Sequence, residues 1–163
     1  MTVEDKRRRD ECFVEAIRQK RAGMFRVARM MLRSASDAEE AVADATESAY
    51  AHLRTLRSWE AVRPWLMRIT VNVCHKTLRR RKREMPSGDA ALFDRPIKPN
   101  DAAEIWSLVE RLDAMYSVPL TMFYAEGMKL EEIASALHVP KGTVSARMTR
   151  GRQKIKMWME EEP

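Results

Sequence analysis

The sequence predicts an all-α protein made of two small helical domains joined by a flexible linker. Apolar residues recur at intervals of three and four along most of the 163 residues, which is the spacing of amphipathic helices. The chain has only five glycines and few β-branched runs, so sheet is disfavoured. Periodicity is lost over residues 84–101, where Pro86, Gly88, Pro96 and Pro99 interrupt any helix.

The first two helices are predicted over residues 11–33 and from about Ser36 onward. Gly23 is expected to bend or break the first helix. Ser36 and Glu39 have the S-x-x-E spacing of a capping box at the start of the second. The second helix has one apolar face rich in small residues, which allows close packing: Ala38, Ala41, Val42, Ala45, Ala49, Leu53 and Leu56.

A third helix is predicted to begin near Pro64, because proline is tolerated in a first helical turn. Its apolar side comprises Trp65, Leu66, Ile69 and Val73. A polar stripe at helical spacing lies opposite and ends in the basic run of residues 79–83.

The domain boundaries follow from these patterns. We predict a first domain over residues 8–85, a linker over residues 86–101 and a second domain over residues 102–160. A structureless loop of this length is uncommon inside one compact domain, which favours two. The second domain is predicted to contain four helices, over residues 102–112, 118–124, 130–137 and about 141–159.

Charge is unevenly distributed along the chain. The net charge is +6, which favours partners that carry phosphate, such as nucleic acid or an anionic membrane. Residues 68–83 contain seven basic and no acidic side chains, whereas residues 37–47 contain five acidic and no basic side chains. This segregation suggests one surface for an anion and another for a cationic protein. Alternatively, both stretches are solvated helix faces.

Residues 128–148 have the pattern of a helix-turn-helix. Ala134 is small where two helices must cross, and Pro140 and Gly142 punctuate the turn. His138 occupies a turn position where a positive φ is expected. The second helix would present short polar and basic side chains to a DNA major groove. The candidates on this helix are Lys141, Thr143, Ser145, Ala146, Arg147, Thr149 and Arg150. The alternative is a plain helical hairpin with a basic surface.

Other functional classes find little support in the sequence. Cys12 and Cys74 are far apart and no secretion signal is evident, which favours a reducing cytoplasm. No metal site is predicted, because Cys74 and His75 lack a second ligand pair. No apolar run approaches the roughly 20 residues needed to span a bilayer. No catalytic residues are assigned, since no nucleophile–base set or phosphate loop is found.

These motifs resemble the extracytoplasmic-function (ECF) subfamily of bacterial RNA polymerase sigma factors. Residues 130–134, 139–144, Arg147 and 150–152 are similar to that family's region 4. Residues 37–40, 65–69, Asn72 and the basic run after Leu78 are similar to region 2. The resemblance covers nearly the whole chain in the family's order.

The resemblance implies an alternative sigma factor that binds core RNA polymerase, recognises the −10 and −35 promoter elements and promotes DNA melting. The first domain would bind polymerase and the −10 element, and the helix-turn-helix domain would read the −35 element. Polymerase contacts would be Asp37, Glu40, Asp44 and Glu47. Contacts to the −10 element would be Arg57, Trp59, Arg68, Asn72, His75, Lys76, Arg79 and Arg80. Arg81 is a further candidate phosphate contact.

The same resemblance implies an anti-sigma partner, possibly membrane-anchored, and neither a cofactor nor a small-molecule substrate. The chain departs from the family at Ala43 and Thr46, where a glutamine and a large aromatic residue are usual. The alternatives are a stand-alone helix-turn-helix transcriptional regulator and, less well supported, an enzyme acting on nucleic acid. The stand-alone regulator leaves the acidic and basic helices of the first half unexplained.

Overall fold

The computed structural model describes residues 1–84 and 103–161. Within those two stretches every regular element is an α-helix or a 3₁₀ turn, which confirms the predicted all-α class. The predicted linker, residues 86–101, lies outside the described residues. None of the described helices has the length and apolar content needed to cross a bilayer.

The first half contains three long helices and two short turns. They are α1 (Val3–Leu32), α2 (Ala35–Ala51), 3₁₀ turns at Leu53–Thr55 and Trp59–Ala61, and α3 (Val62–Glu84). The second half contains α4 (Ala103–Arg111), α5 (Ala114–Tyr124), α6 (Leu130–Leu137) and α7 (Lys141–Glu161). Pro64 lies in the first turn of α3, as predicted.

Helix α1 begins eight residues before its predicted start. The Thr2 hydroxyl accepts a hydrogen bond from the Asp5 backbone N–H, and the Asp5 carboxylate accepts one from the Thr2 backbone N–H, each at 3.1 Å. This capping box starts a helix in a charged stretch that has no apolar periodicity. The expected break at Gly23 does not occur, because α1 continues through it.

Helix α2 is capped by Ser34 rather than by Ser36. The chain leaves α1 through Arg33 in the left-handed conformation (φ 58°), which puts Ser34 in an extended conformation suited to an N-cap. The Ser34 hydroxyl then accepts from the Asp37 backbone N–H at 3.3 Å. Ser36 is already inside the helix, so its hydroxyl cannot cap it.

The core of the first half lies where α1, α2 and α3 pack against one another. Its largest fully buried side chains are Met24, Val27, Leu32, Leu66, Met67 and Val71. The predicted alanine face of α2 is buried at Ala38, Ala41, Ala45 and Ala49. Small side chains on this face let the neighbouring helices approach α2 closely. That close approach is what buries all four alanines.

The largest buried side chains of the second half are Leu112, Leu120, Met122, Met128, Ile133 and Val144, and they belong to the same apolar cluster as the core of the first half. Helix α5 begins at Ala114, before the predicted residue 118, so Pro119 lies inside it. Helices α6 and α7 match the predicted helix-turn-helix. The turn between them has His138 at φ 57°, as the sequence predicts.

The two halves also contact each other. Helix α1 packs against α5, and α3 packs against α6. The face of α3 that carries the predicted polar stripe therefore has the second half beside it.

Candidate nucleic-acid interface

Helix α3 separates its apolar and polar residues into two faces. Leu66, Met67, Thr70, Val71 and Cys74 are buried. All eight predicted −10 candidates are exposed, six of them on α3: Arg68, Asn72, His75, Lys76, Arg79 and Arg80. The buried face fixes the orientation of the helix, so the polar stripe has a defined direction.

A groove of about 820 Å³ runs beside this stripe. Its walls in the first half come from the connection after α2 and from α3, and include Thr55, Arg57, Trp65, Arg68 and Lys76. The Trp65 indole N–H donates to the Thr55 hydroxyl at 3.0 Å, which joins the connection to α3. An aromatic and aliphatic wall edged by cations suits an unstacked base and its phosphates.

Trp59, one of the predicted contacts to the −10 element, lies elsewhere. Its side chain is 38% exposed and lines a separate depression of about 310 Å³ together with Arg63 and Pro64. Trp65, which the sequence assigned to the core, is the tryptophan that lines the groove. The sequence could not show which of the two faces the groove, because that depends on how the 3₁₀ turn at Trp59–Ala61 and the start of α3 fold against their neighbours.

His75 carries little positive charge at neutral pH. Burial lowers the pKa of its imidazole from the ordinary value, and the nearby positive charge of Arg79 and the ring of His138 lower that pKa further. A neutral imidazole both donates and accepts hydrogen bonds, so His75 is suited to a polar contact rather than to phosphate neutralisation.

Arg81 is engaged inside the first half, contrary to its predicted role as a phosphate contact. Its guanidinium donates to the Leu32 carbonyl at 2.8 Å and forms an ion pair with Asp37. It thereby joins the end of α3 to the end of α1 and the start of α2. The sequence shows five consecutive basic residues but not which of them faces inward, since that depends on the packing of α1 and α2.

The acidic face of α2 is exposed at Glu40, Asp44 and Glu47. Asp37 differs from them, because it is half-buried and paired with Arg81. Ala43 is exposed on the same helix, and the Thr46 hydroxyl donates back to the Val42 carbonyl at 2.8 Å.

Helix α7 presents the recognition residues predicted from the helix-turn-helix. Val144, Met148 and Gly151 are buried against the rest of the second half. Lys141, Ser145, Ala146, Thr149 and Arg150 are exposed, and Thr143 and Arg147 are half-buried. Lys141 forms an exposed ion pair of 2.6 Å with Glu131 of α6. Short polar side chains and arginine thus lie along one open edge of a helix that a major groove can admit.

The sequence did not predict the contacts between the halves. Arg26 forms an ion pair with Glu126, and the Arg33 guanidinium donates to the carbonyls of Glu110 and Leu112. His138 and Asn72 are hydrogen-bonded at 3.0 Å. The one available signal was Gly23, an unexplained glycine within a helical pattern.

Comparison with known protein families agrees with this two-part arrangement. Sigma-70 region 2 matches residues 16–84, and sigma-70 region 4 matches residues 102–155. The ECF RNA polymerase sigma factor SigM of Mycobacterium tuberculosis is 30% identical over 146 residues, which cover 88% of this chain and 74% of that protein. The ECF sigma-E factor of Haemophilus influenzae is 26% identical, covering 90% of this chain and 93% of that protein.

Two solved structures share the fold. The sigma factor RpoE in complex with the anti-sigma factor NepR from Bartonella quintana has a TM-score of 0.79 and 20% identity, covering 93% of this chain and 98% of that chain. CnrH in complex with the cytosolic domain of CnrY has a TM-score of 0.60 and 19% identity, covering 93% and 89%. The chain belongs to the ECF subfamily of sigma-70 RNA polymerase sigma factors.

Proposed function

We propose that this chain is an alternative sigma factor whose two halves hold one promoter at two places. In this proposal the first half binds core RNA polymerase and the −10 element, and the second half binds the −35 element. The observation that carries the proposal is that the chain has two different surfaces suited to nucleic acid: the groove beside α3 and the open edge of α7. The factor acts by binding rather than by catalysis, and it works in the cytoplasm with the polymerase.

The groove beside α3 is suited to unpaired DNA. Arg57, Arg68 and Lys76 supply positive charge along it, and Trp65 supplies an aromatic surface. Arg79 and Arg80 continue the positive charge beyond the groove. Proteins that bind single strands combine such an electrostatic track with stacking surfaces. A base flipped out of the −10 element could therefore be held here while the duplex melts.

The edge of α7 is suited to duplex DNA. Arginine can hydrogen-bond the edge of a guanine with both terminal nitrogens, and serine and threonine can contact bases or phosphates. Arg150, Ser145 and Thr149 are exposed for such contacts, and Lys154 and Lys156 follow on the same helix. Binding in the major groove would leave the buried side of α7 packed on α5.

Polymerase docking is assigned to α2. Glu40, Asp44 and Glu47 form an exposed acidic row that a basic surface of the polymerase can meet. Asp37 remains a candidate, but its pairing with Arg81 would have to be exchanged for a polymerase contact.

An anti-sigma protein, possibly membrane-anchored, is the proposed regulator. The RpoE neighbour was solved with an anti-sigma factor, and the CnrH neighbour with a cytosolic domain of its partner. Apolar residues on the second half are available for such a contact, since Met115, Phe123 and Met157 are 48%, 37% and 56% exposed. Met128, another apolar residue of the second half, is buried and cannot take part without rearrangement.

In vitro transcription tests the proposal. Purified protein added to core polymerase should produce transcripts that begin at defined promoters on genomic DNA of the source organism, and core polymerase alone should not. Tight binding to specific duplex sites without any affinity for core polymerase would instead identify a stand-alone regulator and overturn the proposal.

A further inference from the structure

One hydroxyl group links the connection after α2 to α3 at the groove beside α3. The Thr55 hydroxyl accepts a hydrogen bond from the Trp65 indole N–H at 3.0 Å and donates one to the His52 carbonyl at 2.8 Å. A hydroxyl has a single hydrogen to donate, and here the His52 carbonyl takes it. The lone pairs of the same oxygen are therefore left to receive the indole N–H.

The short turn that carries Thr55 is fixed by its own contacts. The His52 carbonyl accepts from both the backbone N–H and the hydroxyl of Thr55, at 2.9 and 2.8 Å, so both of its lone pairs are used. Leu53 is buried beneath the turn, and the His52 ring atom Nδ1 lies 2.8 Å from the Ser48 carbonyl of α2. The acceptor for the Trp65 indole is thus in place before any DNA arrives.

Trp65 has one polar group with which to fix its ring. An indole N–H donates and cannot accept, so the bond to Thr55 restricts the rotation of the ring about its side-chain torsions. The residue is half-buried and lines the groove of about 820 Å³. The hydrogen bond therefore sets the plane of the aromatic surface that the groove offers.

The plane of this ring matters for stacking. A base stacks on an aromatic side chain when the two planes are parallel and offset. Ordering a mobile side chain at the moment of binding lowers affinity, whereas a ring that is already held has little freedom left to lose. Without the Thr55 hydroxyl, the indole N–H would bond to water and the ring could adopt other orientations.

We propose that Thr55 is a positioning residue for strand binding, whose hydroxyl holds the Trp65 indole in the orientation on which an unpaired base of the −10 element stacks. This inference rests on the strand-binding role of the groove proposed above. Thr55 acts through Trp65 and needs no contact of its own with the DNA.

Thr55→Val tests the hydroxyl, because valine has nearly the shape of threonine and lacks its oxygen. Holoenzyme reconstituted from core polymerase and this variant should bind a fluorescein-labelled single strand roughly 5-fold more weakly than wild-type holoenzyme. The strand carries the nontemplate −10 sequence of a promoter found by in vitro transcription, and fluorescence anisotropy measures the affinity. Thr55→Ser keeps the hydroxyl and should restore wild-type binding.

Trp65→Phe shows whether the effect passes through the indole. Phenylalanine keeps an aromatic ring but has no N–H for the Thr55 hydroxyl to hold. Adding Thr55→Val to Trp65→Phe should therefore cause no further loss of strand affinity, which a double-mutant cycle measures.

Thr77→Val is the matched control for the loss of a threonine hydroxyl. The Thr77 hydroxyl donates to the Val73 carbonyl at 3.3 Å within α3, so its removal should leave strand affinity at the wild-type value. Thr55 is exposed, so its replacement opens no cavity in the core. Circular dichroism and the affinity for core polymerase should be unchanged in all of these variants.

The outcomes separate this inference from the proposed function. Wild-type strand affinity in Thr55→Val would overturn the positioning role and leave the proposed function standing. An equal loss in Thr55→Ser, or an undiminished loss in the Trp65→Phe background, would also overturn it, since the effect would not run from the hydroxyl through the indole. If wild-type holoenzyme that transcribes from the promoter failed to bind the strand, the role of the groove would be overturned together with this inference.

Discussion

At the scale of single residues, neighbours from other helices decide what each basic side chain does. Arg80 and Arg81 are adjacent in the sequence, yet Arg80 is exposed and Arg81 is half-buried against Asp37 and the Leu32 carbonyl. His75 belongs to the same stripe, and burial lowers its pKa so that it is mainly neutral at pH 7. The positive charge available to DNA phosphates is therefore smaller than a count of basic residues suggests.

Arg80→Ala and Arg81→Ala should separate DNA binding from stability. We expect Arg81→Ala to lower the free energy of unfolding by about 1–3 kcal/mol, because it leaves Asp37 and a half-buried carbonyl without their donor. Arg80→Ala should leave stability unchanged and weaken binding of DNA of any sequence. Urea unfolding and anisotropy measure the two effects. Equal stability of both variants would show that the Arg81 contacts contribute nothing.

Arg150→Ala should reduce recognition of the −35 element. If the guanidinium contacts a base, we expect a loss of about 1–3 kcal/mol in affinity for the cognate duplex and a weaker preference at one base pair. Lys156→Ala, further along the exposed face of α7, is the control, and it should weaken all sequences about equally. Binding assays on a set of single-base-pair duplex variants distinguish these patterns. Unchanged base preference in Arg150→Ala would place the recognition edge elsewhere on α7.

At the scale of the elements, the residue at which a helix begins depends on where the preceding helix ends and on the backbone conformation there. Helix α2 illustrates this, because the left-handed conformation of Arg33 places Ser34 rather than Ser36 at the cap. Helix α6 ends in the same way at His138, which has a positive φ. A non-glycine residue in this conformation has a modest energetic cost, which contacts elsewhere must offset.

Ser34→Ala and Ser36→Ala should differ in stability. Ser34→Ala removes the side-chain acceptor of the Asp37 backbone N–H and should cost about 1 kcal/mol. Ser36→Ala, in an exposed position inside α2, should be neutral or slightly stabilising, since alanine favours helix. Thermal unfolding followed by circular dichroism compares them. A greater loss in Ser36→Ala would restore the capping box that the sequence suggested.

At the scale of the whole molecule, the two proposed DNA-binding surfaces belong to one chain and would meet one promoter. The groove beside α3 suits unpaired DNA and the edge of α7 suits duplex, so the two surfaces require different states of the same DNA. Helix α6 forms one wall of the groove beside α3.

The spacing between the two promoter elements should matter strongly. Inserting about 5 base pairs between them turns one element by half a helical turn relative to the other, which places its groove on the opposite side of the duplex. We expect this insertion to abolish transcription by the reconstituted polymerase. Replacing spacer sequence at constant length is the control and should have a small effect. Full activity after the insertion would mean that the two halves do not bind one rigid promoter together.

The sequence by itself determined the all-α class, the order of the helices and the helix-turn-helix, including the positive φ at His138. These features are local, because helical periodicity and turn residues act over a few positions of the chain. It also located the polar stripe of α3, since burying one face of a helix exposes the other.

Only the tertiary structure decided which tryptophan lines the groove, which arginine turns inward and how the halves meet. Each of these depends on residues far apart in the sequence, such as Arg26 and Glu126 or Asn72 and His138. Charge patterns along the chain show which side chains can form an ion pair, but packing decides which of them come within contact distance.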